Sequence, residues 1–151
     1  MTDTQAWRDL TTEPTLEPDL PICDPHHHLW QRAPDDQYLL ADVLRDVDCG
    51  HNIVSTVMIE FRTQYRTDGP EALKRVGETE FVERIAAESA TGRHGKTRIA
   101  AGIITSADLT LGADVAQTLE AHMAASPRFR GIRHSAAWIP DAVEVGMRVG
   151  A

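Results

Sequence analysis

Two histidines near the start of the chain, His26 and His28, have the spacing of a pair of metal ligands. They lie in the sequence Asp-Pro-His-His-His-Leu-Trp at residues 24–30, directly after the apolar segment 20–23. If that segment ends a β-strand, His26 and His28 point to one face and His27 to the other. Two imidazoles on one face can each offer a nitrogen to a divalent cation at about 2.0–2.1 Å. The spacing predicts a metal pair, and an incidental run of histidines is the alternative.

Further polar residues follow three later apolar runs, at the points where strands are expected to end. These residues are Glu60, Thr105, Ser106, Asp108, Arg133 and His134. Because the carboxyl ends of parallel strands share one rim, we expect these side chains to converge with the histidines.

Each candidate at this rim has a functional and a structural interpretation. Glu60 is either a carboxylate close to metal or substrate, or the polar end of a strand. The guanidinium fork of Arg133 suits a substrate carboxylate but equally suits a structural salt bridge. The same two interpretations hold for His134, and Trp30 is either a pocket wall or a core residue.

The elements that must position these residues can be read from the apolar pattern. Apolar runs at 21–23, 53–61, 98–104 and 129–133 predict four strands, and near-continuous runs are typical of parallel strands covered on both faces. Apolar residues at helical spacing predict three helices between them, around 39–47, 81–89 and 115–123. This alternation predicts an α/β fold with a parallel sheet. The polar segment 62–76 is expected to cover a substrate or to be a surface insertion.

Composition limits the classes of partner. The net charge is −8 and no run is rich in Lys or Arg, so we expect neither nucleic acid nor an anionic membrane as a partner. The two cysteines, Cys23 and Cys49, are expected to be buried reduced thiols. No signal peptide or membrane-spanning run is recognisable, which predicts a cytoplasmic protein. His51, His94 and His122 are expected at the surface.

Residues 24–30, together with 53–60, Gly-Glu-Thr-Glu-Phe-Val at 77–82 and Gly-Ile-Arg-His at 131–134, resemble the amidohydrolase-related metal-dependent hydrolases. That family consists of (β/α)8 barrels and includes sugar-lactone and pyrone-dicarboxylate lactonases and several decarboxylases. The resemblance covers about residues 20–138 and is nearest to the lactonase-like branch. It implies that His26 and His28 bind a divalent metal, zinc or manganese, although some lactonases work with little or no metal.

The resemblance also implies a reaction and a missing part. The metal would polarise a carbonyl and lower the pKa of a bound water, which an aspartate at the end of an eighth strand would orient. A (β/α)8 barrel needs roughly 250 residues, so the 151 residues correspond to the N-terminal half of one. Residues 139–151 fit neither the next helix nor a fifth strand, and the late aspartate is not in the chain. The catalytic residues therefore stay unassigned.

The sequence thus predicts a loosely ordered lead-in at 1–19 and a partial barrel domain at 20–151. The predicted function is hydrolysis of a small-molecule lactone or related cyclic ester or amide. A decarboxylase of the same family is one alternative, and an inactive remnant that only binds metal or associates is another. Open sheet edges in a partial barrel predict poor solubility or self-association.

Overall fold

A parallel four-stranded sheet forms the centre of the molecule. The structure, a computed structural model, describes residues 6–7, 10–11 and 13–135, so the interpretation of 139–151 lies outside the described residues. The strands are β1 (Ile22–His27), β2 (Trp30–Ala33), β3 (Asp36–Tyr38), β4 (Ile53–Ile59), β5 (Arg98–Ser106) and β6 (Phe129–Arg133). The parallel sheet has the order β1-β4-β5-β6, and β2 and β3 form a separate antiparallel hairpin. The predicted α/β fold with four parallel strands is confirmed in these residues.

Helices connect the successive parallel strands. They are α1 (Leu40–Val47), the short α2 (Glu71–Lys74), α3 (Val76–Ala90) and α4 (Val115–Ala125), with a 3-10 segment at Leu109–Asp114. The three predicted helices are present, and the segment predicted as one long loop contains α2. No helix in the described ranges is long and apolar enough to cross a membrane.

The core lies between the sheet and the helices. Its fully buried side chains include Leu29 after β1, Met58 on β4, Val82 on α3, and Ile99 and Ile103 on β5. Burying a side chain of this size contributes roughly 1.5–3 kcal/mol. This layer fixes α3 against β5, and the first turn of α3 consequently meets the loop that follows β4.

The hairpin of β2 and β3 was not among the predicted elements. Trp30 stacks on Tyr38 across the hairpin, with ring centroids 5.1 Å apart, and Trp30 Nε1 donates to Asp36 Oδ1 at 2.8 Å. The centroid of the Trp30 ring also lies 4.9 Å from that of Phe61, which follows β4. The hairpin therefore packs beside the carboxyl end of β4, and half-buried Trp30 is part of that packing.

The expectation that both cysteines are buried is wrong. Cys23 and Cys49 are free and exposed. Cys23 lies on β1, which is an edge strand of the sheet, and Cys49 lies in the turn between α1 and β4. A strand at an edge leaves one face and one side open, and the apolar run alone does not show this.

Gly77 allows α3 to approach the loop after β4. A Cβ atom at this position would lie 2.5 Å from the Gln64 carbonyl oxygen and 2.6 Å from the Arg66 nitrogen, and both are backbone atoms. Gly77→Ala must therefore displace backbone, which we expect to destabilise the fold by about 1–3 kcal/mol despite the better helix propensity of Ala. Urea unfolding followed by circular dichroism measures the change.

Gly131→Ala is the matched control. A Cβ on Gly131 would have no neighbour within 4 Å among the described residues, so its effect should stay within about 0.5 kcal/mol. If Gly77→Ala were as stable as Gly131→Ala, the close approach of α3 to the loop would be contradicted.

Candidate functional site

The carboxyl ends of the parallel strands border one cleft. It has a volume of about 510 Å³ and is lined by Arg32, Glu60, Phe61, Arg62, Arg133, His134 and Ser135. A smaller adjoining cavity shares several of these residues and adds Arg75 and Ser106. The structure thus brings together three predicted site residues, namely Glu60, Arg133 and His134. Trp30 and His28 are neighbours of the cleft through Phe61, which each ring approaches at 4.9 Å.

The histidine run divides as its alternation predicts. The rings of His26 and His28 meet edge to face with centroids 5.0 Å apart. His27 lies elsewhere, with Nε2 2.8 Å from the hydroxyl of Thr56. Asp24 pairs with Thr56, and His27 pairs with Met58. Between these two pairs β1 advances by three residues and β4 by two, so β1 contains a bulge of one extra residue. Pro25 lies within this bulge, a position that suits a residue without an amide proton.

His28 is held in the form that a metal ligand requires. Its Nδ1 lies 2.8 Å from the carbonyl oxygen of Ile59. A carbonyl only accepts hydrogen bonds, so Nδ1 is the nitrogen that donates, and in the neutral form of the ring Nε2 is the nitrogen with a lone pair for a metal. A hydrogen bond of this kind to the second ring nitrogen is the usual support of a metal-binding histidine. His26 is exposed beside it.

The pair fits part of a metal site. Within the described ranges, no group of three or more His, Cys, Asp or Glu side chains is arranged to hold a metal ion. Zinc and similar ions in proteins bind three or four protein ligands. His26 and His28 therefore supply two nitrogen donors, and any further ligands would be water, substrate or groups beyond those described.

Glu60 and Arg133 form an ion pair at the cleft. Arg133 Nε donates to Glu60 Oε1 at 2.8 Å, and its Nη2 donates to the Glu60 carbonyl oxygen at 3.2 Å. Glu60 is 8% exposed, and its second oxygen, Oε2, is buried with no hydrogen-bond partner among the described residues. The side chain of Arg133 is 47% exposed. The salt-bridge interpretation of Arg133 thus holds in the structure, while part of its guanidinium still faces the cleft.

Glu78 is a buried carboxylate that the sequence did not single out as a site residue. It is fully buried in the first turn of α3. Its Oε1 accepts hydrogen bonds from the amides of Phe61 at 2.9 Å and Thr63 at 3.1 Å, and Oε2 is buried with no partner in the described part of the chain. Burial raises the pKa of Glu78 to about 7, although the amide hydrogen bonds act in the opposite direction. Glu78 lies before the helix predicted around 81–89, and the sequence indicated neither its place in a helix nor its burial.

The loop after β4 is a fixed wall of the cleft. Arg62, between the two amides that Glu78 binds, has a left-handed backbone with φ of +57°, which is uncommon for a residue other than glycine. Gln64 Nε2 donates to the Gln31 carbonyl oxygen of the hairpin at 2.7 Å. Further along, the Tyr65 hydroxyl lies 3.1 Å from Ser106 Oγ, and Arg66 pairs with Glu80. The first part of the predicted long loop is therefore tied to three elements.

His122 is buried, so its predicted place at the surface is wrong. Its Nε2 donates to the Ser106 carbonyl oxygen at 3.2 Å, and its Nδ1 lies 2.7 Å from the Thr79 hydroxyl. Both ring nitrogens thus find partners, which is what allows a histidine to occupy a core position. Burial lowers the pKa of His122.

The remaining rim residues have structural contacts. His134 Nδ1 donates to the Ala107 carbonyl oxygen at 3.2 Å. The Thr105 hydroxyl lies 3.3 Å from that of Thr79. Asp108 caps the 3-10 segment by accepting from the Thr110 amide at 2.9 Å. Of these, His134 alone lines the cleft.

Comparison with protein-family models, with curated proteins and with solved structures found no match for this chain.

The raised pKa of Glu78 predicts an unusual pH dependence. Between pH 4.5, which is the ordinary pKa of a glutamate, and about pH 7, the folded chain binds the proton of the Glu78 carboxyl more tightly than the unfolded chain does. The free energy of unfolding therefore falls as pH rises through that window. Glu78→Gln keeps an oxygen acceptor but has no charge to bury. Between pH 5 and 7.5 we expect the wild-type chain to lose about 2 kcal/mol more stability than Glu78→Gln.

Urea unfolding at several pH values measures this difference. The half-buried His27 and the buried His122, whose pKa values burial lowers, act in the opposite direction and are present in both chains. Glu71→Gln is the control, because Glu71 is exposed on α2, and its profile should match the wild type. Parallel profiles for the wild type and Glu78→Gln would contradict a buried carboxylate that ionises near neutral pH.

Proposed function

We propose that this chain contributes the first-strand part of the site of a metal-assisted hydrolase. The observation that carries the proposal is the His26–His28 pair, with the rings 5.0 Å apart and His28 Nδ1 bound to the Ile59 carbonyl oxygen. A pair of this kind beside a polar cleft suits a metal that, when bound, polarises a carbonyl and makes water a better nucleophile.

The strand order is consistent with part of a (β/α)8 barrel. Each parallel strand is hydrogen-bonded to the next parallel strand along the chain, and helices lie between them. In such barrels the active site lies at the carboxyl ends of the strands. The cleft and the histidine pair are both at that end, which supports the proposed half-barrel.

The chain's own residues would bind and orient the substrate. His26 and His28 would hold the metal, and the Ile59 carbonyl keeps the His28 ring in position. Arg133, itself fixed by Glu60 at 2.8 Å, would orient the substrate from the other side of the cleft. The proposed substrate is a lactone or a related cyclic ester or amide, and decarboxylation on the same scaffold is a variant of this proposal.

A second candidate function is metal binding or association without catalysis. It is favoured by one observation, that the described residues supply only two clustered donors. Two donors bind metal less tightly than three or four, so either proposal expects weak binding by the chain alone.

Metal titration and turnover together test the proposal. By calorimetry with zinc or manganese chloride, we expect residues 1–151 to bind more weakly than micromolar. This binding should be lost in His26→Ala and in His28→Ala, because each variant leaves only one imidazole to bind the metal. In the complete product of the gene that encodes these residues, metal-dependent lactone hydrolysis should be lost in the same two variants.

His51→Ala is the matched control, because His51 is exposed and lies at the opposite ends of the strands. Its metal binding and turnover should equal those of the wild type. Metal binding that survives in the His26→Ala/His28→Ala double variant would contradict the proposal. Metal binding by this pair without hydrolysis of any lactone, ester or amide would favour the second candidate.

A further inference from the structure

The cleft concentrates positive charge in an acidic chain. The chain carries a net charge of −8, yet the cleft is lined by Arg32, Arg62 and Arg133, and the adjoining cavity adds Arg75. Glu60 is the one carboxylate that lines either space within the described part of the chain. Arginines gathered in this way raise the local concentration of anions.

Only part of this charge is neutralised by carboxylates of the described residues. Within the described ranges, Glu60 pairs with Arg133 alone. The contact of Arg32 with Asp36 is 3.8 Å long between side chains that are about half exposed, at 52% and 51%, and such pairs contribute little. Among the described residues, no carboxylate lies within salt-bridge distance of Arg62 or Arg75.

The guanidinium groups also keep unused donors. Each has five N–H groups. Arg133 uses its Nε and Nη2 on Glu60, and Arg75 uses Nη1 on Ser106 Oγ at 3.4 Å. The remaining donors match the paired oxygens of a carboxylate or phosphate.

The position of Arg62 is imposed by its surroundings. Glu78 binds the amides on both sides of it, at Phe61 and Thr63, and its φ of +57° is left-handed. Such a conformation in a residue other than glycine persists where neighbouring contacts enforce it, and it is frequent at binding sites.

We propose that this cleft binds the oxyanion group, carboxylate or phosphate, of a small ligand through Arg62 and Arg133, and that Glu78 positions Arg62 for this contact. The volume of about 510 Å³ suits a small molecule. If this cleft belongs to the proposed hydrolase, the substrate is an anionic lactone or cyclic ester. Only this statement about the substrate rests on the proposed function; the anion binding does not.

Calorimetric titration of residues 1–151 in low salt, after metal has been removed with a chelating resin, tests anion binding without metal. The probes are glutarate for a carboxylate, inorganic phosphate, and neutral glutaramide. We expect glutarate or phosphate to bind and glutaramide not to bind. Arg62→Gln should weaken binding about tenfold or more, since hydrogen bonds between charged groups are lost. Arg93→Gln is the control, because Arg93 pairs with Glu88 near the end of α3, away from the cleft residues.

The Glu78 variants separate positioning from folding. Glu78→Gln retains an acceptor for the two amides and should bind within a few-fold of the wild type. Glu78→Leu should weaken binding about as much as Arg62→Gln does. The double variant Arg62→Gln/Glu78→Leu should be no weaker than Arg62→Gln alone, because Glu78 acts through Arg62. Circular dichroism verifies that each variant is folded.

The outcomes divide clearly. A preference for glutarate or for phosphate identifies the anion. Equal binding of glutaramide and glutarate, equal affinity in Arg62→Gln and Arg93→Gln, or no binding of either anion would overturn the proposal. Since all titrations are metal-free, such a failure would leave the histidine pair to be judged by its own metal titration.

Discussion

The site depends on one buried interaction, the hydrogen bonds between the Glu78 carboxylate and the backbone of the loop after β4. Glu78 belongs to α3, whereas Phe61 and Thr63 follow β4, so one oxygen joins a helix to the end of a strand. A buried carboxylate is costly unless it is hydrogen-bonded. Its two amide bonds offset part of that cost and hold the left-handed backbone of Arg62. The shape of the cleft wall follows from this contact.

The rest of the cleft is arranged around that wall. Gly77 lets α3 come close enough for Glu78 to reach the loop. The ring of Phe61 lies between the cleft and the histidine pair, 4.9 Å from His28, and Arg32 lies over the same ring at 4.5 Å. The two proposed metal ligands and the arginines of the cleft therefore lie in adjacent positions, with the Phe61 ring in contact with both His28 and Arg32.

The strands, the helices and part of the site were predictable from local pattern. Near-continuous apolar runs and helical spacing depend only on neighbouring residues, and the convergence of Glu60, Arg133 and His134 follows from the common edge of parallel strands. The hairpin was missed because its strands are short and mostly polar. The burial of Glu78 and His122 was missed because it depends on partners far along the chain. Arg62 was missed for the same reason, since its backbone is set by residue 78.

Amide hydrogen exchange at Phe61 and Thr63, followed by NMR in the wild-type chain and in Glu78→Leu, tests the role of Glu78 most directly. If the carboxylate holds the loop, both amides exchange slowly in the wild type, and both lose that protection in Glu78→Leu while the amides of β5 keep theirs. Rapid exchange of both amides in the wild type, or unchanged protection in Glu78→Leu, would contradict the account.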